Sequence, residues 1–148
     1  MSVARDPGVL AWLRLARVYT AVDRRTGRFL RQFDLSTAQF DVIAQVGAHE
    51  GLTQQELAEA LLVTKGNVTQ LLDRLEERGL IERRAVPGRR GKAIHLTDAG
   101  RELNRQAVPA QEAMIASLFD ALDIEDQIRL GALLRRIDRA LGAPGEGA

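Results

Sequence analysis

A chain of 148 residues, 45% hydrophobic and 28% charged, is one domain's worth of ordinary globular protein, expected in the cytoplasm. Its 21 basic and 20 acidic side chains leave a formal net charge of +1, so only the local distribution of charge can point to nucleic acid. With no cysteine, disulfides, thiolate metal sites and thiol-based redox sensing are excluded; no apolar run reaches membrane-spanning length, and no signal peptide is expected.

Asp6-Pro7 is a good helix start, with Asp as cap and Pro in the first turn. A helical pattern then runs to about Phe33, with Leu10, Leu13, Ala16, Leu30 and Phe33 as apolar positions. Arg14, Arg17, Arg24, Arg25, Arg28 and Arg31 dominate its polar side. A basic amphipathic helix can lie on a membrane surface, but a solvated face on a packed helix is the commoner use of such a pattern. Ser36 with Gln39 makes a capping box that opens a short helix over residues 37–46. Gly47 and Gly51 bracket the loop that follows.

The chain is organised around residues 52–97. Thr53 is placed to N-cap a helix, and Glu56 completes a second capping box. Leu57, Ala58 and Leu61 then recur at helical spacing. Leu62-Val63 interrupts the pattern, and Thr64 is a fresh N-cap for a helix reaching Arg78. Val68, Leu71, Leu72 and Leu75 form the apolar stripe of that helix. Burying it leaves Lys65, Gly66, Asn67, Thr69, Gln70, Asp73 and Arg74 facing outward. A recognition helix puts such a polar leading face into the DNA major groove. Asn and Gln pair with adenine and Lys donates to guanine, while a glycine lets the backbone approach phosphate. Gly79 stands at the C-cap.

Residues 80–85 and 93–96 read as antiparallel strands around a loop that holds Pro87, Gly88 and Gly91, with Arg89 and Arg90 at its tip. Between Arg78 and Lys92 the bases Arg78, Arg83, Arg84, Arg89, Arg90 and Lys92 stand against one acid, Glu82. That is an electrostatic footprint for a phosphate backbone. Thr97 caps a long helix from residue 98 to about 121, which Pro109 is expected to kink. Asp123 caps a last helix over 124–141, apolar over more than one stripe through Ile128, Leu130, Leu133, Leu134, Ile137 and Leu141. The tail at 142–148 is expected to be disordered. The terminal helices carry more apolar surface than one small domain covers, so a second copy of the chain is the expected partner.

His49 and His95, the two histidines, lie far apart and are expected to be structural. No nucleophile motif, phosphate-binding glycine loop or metal-ligand cluster is present in the sequence. Neither catalysis nor a metal or cofactor is expected.

The run TQQELAEALLVTKGNVTQLLDRLEERGLIERR at 53–84, followed by RRGKAIHLTDAG at 89–100, resembles the winged helix-turn-helix of MarR-family transcriptional regulators. Its D-R-L-E-x-x-G-L-I-x-R and L-T-x-x-G runs occur together at the family's separation, and the flanking lengths match. The resemblance implies a mainly α single domain, 1–148, with a small β-wing. The winged helix-turn-helix would occupy 35–97 and the dimerisation helices 7–33 and 98–141. It implies a sequence-specific regulator of double-stranded DNA, expected to be a repressor, that acts as a homodimer on a pseudo-palindromic operator. The alternative is a winged-helix module that binds protein instead of DNA. The DNA-contact set is Thr64, Lys65, Gly66, Asn67, Thr69, Gln70, Arg74, Arg89, Arg90 and Lys92. The family wing commonly reads Asp-Arg-Arg, whereas Gly88 precedes Arg89 and Arg90 here, so a carboxylate that would orient an arginine is missing.

The resemblance also implies a small-molecule site, since family members often bind anionic aromatic ligands in a crevice between the dimer helices and the winged helix. By the apolar pattern Trp12, Tyr19 and Phe40 are candidate lining residues for such an effector. Asp41 and Arg84 match positions used by the urate-responsive subgroup, while His95 stands where that subgroup has arginine.

Overall fold

The computed structural model describes residues 5–61 and 65–142. The expectations for Leu62, Val63, Thr64 and the tail beyond Gly142 lie outside the described residues, as do the side-chain roles of Lys65 and Gly66, whose backbone alone is described. Six helices and three short strands follow in the order α1 (Pro7–Leu30), α2 (Thr37–Ala48), β1 (Leu52–Thr53), α3 (Gln54–Leu61), α4 (Lys65–Glu77), β2 (Ile81–Ala85), β3 (Lys92–Leu96), α5 (Asp98–Leu118) and α6 (Ile124–Ala140).

The helix starts are set by the caps read in the sequence. The Asp6 carboxylate accepts from Gly8 N, Thr97 Oγ1 from Gly100 N and Asp123 from Asp126 N. Both capping boxes close: Ser36 and Gln39 exchange bonds of 3.0 and 3.1 Å, and Thr53 and Glu56 bonds of 3.0 and 3.2 Å. Each pair satisfies two backbone donors that the first helical turn would otherwise orphan.

Helix ends differ more. The first helix stops at Leu30 rather than running to Phe33, because Arg31–Phe33 tightens into a 3-10 turn and Asp34 turns left-handed at φ 54°. α5 passes through Pro109 as one element but ends three residues before the expected 121. Gln127 Nε2 then donates to the carbonyls of Phe119 and Leu122 at 3.2 and 3.0 Å, satisfying the turn between α5 and α6.

The sheet holds a strand that the sequence did not announce. β3 lies between β1 and β2, antiparallel to both, with Leu52 opposite Ile94 and Arg83 opposite Ile94 on the other side. β1 is two residues long, and its Thr53 also caps α3. Local pattern assigns that residue to the helix start; only the pairing with β3, forty residues on, makes it a strand.

One core joins α2, α3, α4 and the sheet to the end of α1 and one side of α5. Leu30, Val42, Ile43, Val46, Leu57, Val68, Leu72, Leu75 and Ile94 are fully buried in it. The expected stripe of α4 is the observed one, with Leu71 only partly covered. The outer helices behave otherwise. Leu10 and Leu13 of α1 are exposed, and α6 buries no residue at all.

The two signature runs hold the frame together. In the first, Leu75, Leu80 and Ile81 enter the core, and Gly79 takes φ 71° to end α4. Leu80 N donates to Leu75 O at 3.0 Å and Gly79 N to Glu76 O at 2.9 Å, the pairing of a glycine C-cap. In the second, Leu96 is buried, Thr97 Oγ1 donates to Gly79 O at 2.6 Å, and Gly100 lets α5 pass against the Leu80 carbonyl.

Candidate nucleic-acid interface

The face of α4 opposite the core begins with Asn67 and Gln70 and continues through Asp73 and Arg74, all exposed. A hollow of about 270 Å³ beside it is lined by Asn67, Gln70, Leu71 and Arg74 of α4 and by Ala38 of α2. Thr69 departs from the outward set. It is half-buried, and its Oγ1 accepts a hydrogen bond from Nε2 of Gln54 on the first turn of α3. Gln54 is a residue that sequence reasoning missed, since nothing local links positions fifteen apart. It holds the recognition helix by its leading third against the preceding helix.

The wing is the β2–β3 hairpin. Arg89 N donates to Val86 O at 3.2 Å across Pro87 and Gly88, with Gly88 at φ 76°. Proline followed by a residue of positive φ is a type II turn, so the position where the family commonly has aspartate is here a turn glycine. Arg89 and Arg90 stand exposed at the tip. With Gly91 they face Thr53, Gln54, Gln55, Glu56 and Glu59 across a cleft of about 590 Å³.

The six bases of the ribbon divide into two groups. Arg83 Nη2 lies 2.7 Å from Asp73 Oδ1, and its Nε donates to Glu76 Oε2 at 3.1 Å. Arg84 pairs with Glu82, and Arg78 lies 3.5 Å from Asp34. These three each face a carboxylate of this chain. Among the described residues Arg74, Arg89, Arg90 and Lys92 carry no ion pair. Within this ribbon and α4, the charge without an ion pair is therefore concentrated at the wing tip and on Arg74.

Arg83 sets the spacing between wing and recognition helix. Its hydrogen bond holds the Glu76 carboxyl below its ordinary value of 4.5, and the two carboxylates raise the guanidinium in turn. A depressed carboxyl stabilises the fold above the unfolded-state value, and that share is lost as pH falls through the lower folded value. Comparing urea midpoints of the parent and Glu76→Gln, we expect the parent to be the more stable near neutral pH and the gap to close in acid. A gap that stayed constant through acid would mean that the ion pair contributes nothing.

The residues assigned to an effector are dispersed. Trp12 and Tyr19 are 63% and 69% exposed on α1, while Phe40 is sealed in the core. The Asp41 carboxyl is pushed up by burial and by the nearby Asp23. His95 Nδ1 lies 2.9 Å from Glu50 Oε2, and Arg101 Nε lies 3.6 Å from the other Glu50 oxygen. That cluster ties β3 to α5 and to the loop after α2. None of the six lines any of the three clefts described for this molecule. Among the described residues no group of three or more His, Cys, Asp or Glu side chains is set to hold a metal ion, and no helix is long and apolar enough to cross a membrane.

Comparison with known proteins places this geometry. A MarR family model matches residues 33–90, the span from the turn after α1 to the wing tip. An HTH-type transcriptional regulator of Bacillus cereus is 40% identical over 133 residues, covering 89% of each chain. Staphylococcus aureus MepR in complex with DNA superposes with a TM-score of 0.80 at 28% identity, over 87% of this chain and 96% of that one. Streptococcus pneumoniae FabT in complex with DNA gives 0.77 at 28% identity, over 92% and 97%. A polar recognition face, an arginine-tipped wing and this degree of likeness across nearly the whole length converge: the chain belongs to the MarR family of DNA-binding transcriptional regulators.

Proposed function

We propose that the chain acts in the cytoplasm as a homodimeric repressor that reads a pseudo-palindromic duplex site by sequence and blocks promoter access by occupying it. The observation that carries the reading is that one domain presents both an exposed polar face on α4, with Asn67 and Gln70, and a wing tip whose Arg89 and Arg90 carry no ion pair among the described residues. In this mechanism Asn67 and Gln70 meet base edges in the major groove, with Thr64, Lys65 and Gly66 as the further contacts assigned from the sequence. Thr69, steadied by Gln54, and Arg74 serve as backbone contacts. Arg89 and Arg90 enter the adjacent minor groove, and Lys92 neutralises phosphate.

A homodimer fits the same reading. Two recognition helices on successive major grooves lie about 34–36 Å apart, and the exposed apolar faces of α1 and α6 supply the surface for a two-fold partner. Relief by a small anionic aromatic compound is the regulatory step in this reading, although the residues assigned to it from the sequence, Trp12, Tyr19, Phe40, Asp41, Arg84 and His95, share no cleft within one protomer. By linkage such a compound binds the free dimer better than the DNA-bound one.

Replacing Arg89 and Arg90 together by alanine tests the wing. On a site selected from random duplexes, affinity is expected to fall at least tenfold. The slope of log affinity against log salt should become shallower by up to about 4, since two arginines on each of two protomers release close to one counterion each. An unchanged slope would remove the wing from the mechanism, and salt-independent indifference of the parent to duplex DNA would favour a protein-binding module.

A further inference from the structure

A cleft of about 740 Å³ opens between the C-terminal half of α1 and the start of α2, lined among others by Arg24, Arg28, Arg31, Asp34, Ser36 and Thr37. The sequence pattern makes these arginines an ordinary solvated helix face; the structure instead gathers three of them around one concavity. All three are exposed, and among the described residues none has an ion pair. The cleft's two acids are Asp23 and Asp34, and Asp34 shares its charge with Arg78 of the turn after α4. Three lining bases against two acids, one of which faces Arg78 outside the cleft, leave a net positive concavity. Guanidinium forks, moreover, match the geometry of phosphate oxygens.

Two observations say what fills it. The exposed apolar residues of α1 run from Val9 to Tyr19, so a dimer formed on that face leaves the arginine end of the helix open. The cleft also adjoins the recognition surface: Thr37 lines it, and the next residue, Ala38, lines the hollow beside Asn67, Gln70 and Arg74. The first turn of α2 thus borders both the arginine cleft and the hollow beside α4. We propose that this cleft binds backbone phosphates of DNA outside the base pairs read by α4. Each protomer then holds the duplex at three places, and the operator's flanks contribute affinity without being read by sequence. The inference rests on the DNA-binding reading above.

The test combines Arg24→Gln, Arg28→Gln and Arg31→Gln, substitutions of exposed side chains whose retained fold is checked by an unchanged thermal melt. Two duplexes carrying a selected site are compared, one trimmed to the half-sites and one extended at each end by roughly half a helical turn, about 5 base pairs. Parent and variant should bind the trimmed duplex alike. On the extended duplex the variant should bind about tenfold more weakly, with a salt slope shallower by about 2, one phosphate for each cleft of the dimer. Equal binding on the extended duplex overturns the proposal. Equal loss on both duplexes does so too, because it places the arginines in the field of the half-site itself. If the free parent binds inorganic pyrophosphate, the variant does not, and both bind the two duplexes alike, the cleft belongs to a free phosphorylated compound and the backbone assignment is wrong. A parent that ignores even the trimmed duplex takes down the DNA reading and this proposal together, and that outcome is distinct from a variant-specific loss.

Discussion

Gly100→Ala is expected to cost the fold about 3 kcal/mol or more, an overpacking penalty at the upper end of the usual range. In a chain of this size that is a fall in Tm on the order of 10 °C. A Cβ added at Gly100 would sit 2.0 Å from the Leu80 carbonyl oxygen and 3.0 Å from its carbon. Both are backbone atoms, so no rotamer change relieves the clash. Nor can the backbone swing aside, because Leu80 O accepts from Thr97 N at 3.1 Å and Gly79 O from Thr97 Oγ1 at 2.6 Å. Helix propensity alone favours alanine by up to about 1 kcal/mol, so the sign of the effect separates packing from propensity. A Gly100→Ala protein that melted at or above the parent temperature would show that α5 does not pass so close to the start of β2.

Removing α6 should be the more consequential change for function. All thirteen of the large apolar side chains exposed among the described residues lie on α1 between Val9 and Tyr19 or on α6 and its cap between Ile124 and Leu141. Burying one such side chain fully is worth about 1.5–3 kcal/mol, so a partner that covers even half of them adds more than a small domain's usual net stability. A chain ending at Asp123 is therefore expected to sediment as a monomer and to lose operator affinity by several orders of magnitude, since only one half-site can then be held at a time. Ile128→Asp with Ile137→Asp makes the same point without deletion. It puts two charges into the face yet leaves the helix exposed and folded in the free subunit. Helical content should persist while the dimer is lost. A dimer that survived both changes would refute the assignment of α6 to the interface.

How much of this was legible in the sequence depends on the range of the interaction involved. Helix starts were legible because a cap is decided within three or four residues, as at Ser36–Gln39 and Thr53–Glu56. The buried stripe of α4 was legible because periodicity is local, and the αL glycine at 79 because it follows directly on that stripe. Ends were less so. α1 stops where Asp34 takes a left-handed turn, and α5 stops where a side chain from the next helix satisfies its last turn. The candidate site was half legible: the polar face of α4 was visible, but the tie from Gln54 to Thr69 was not, nor the division of the arginines into those with and without an ion pair.

The one-dimensional pattern by itself determined the class of protein: two short helices with an outward polar face, an arginine-tipped hairpin, and outer helices with more apolar surface than the domain can cover. It could do so because capping, periodicity and turn chemistry act over a few residues, and each residue type carries its own preference. What only the tertiary structure decided is the use of individual charges and small residues. Arg83 became a clamp on Asp73 and Glu76, His95 was drawn to Glu50, and β1 came into being by pairing with β3. Arg24, Arg28 and Arg31 were gathered around a cleft. Those assignments depend on which distant segments meet, and a charge has no preferred partner until the fold has set the distance between them.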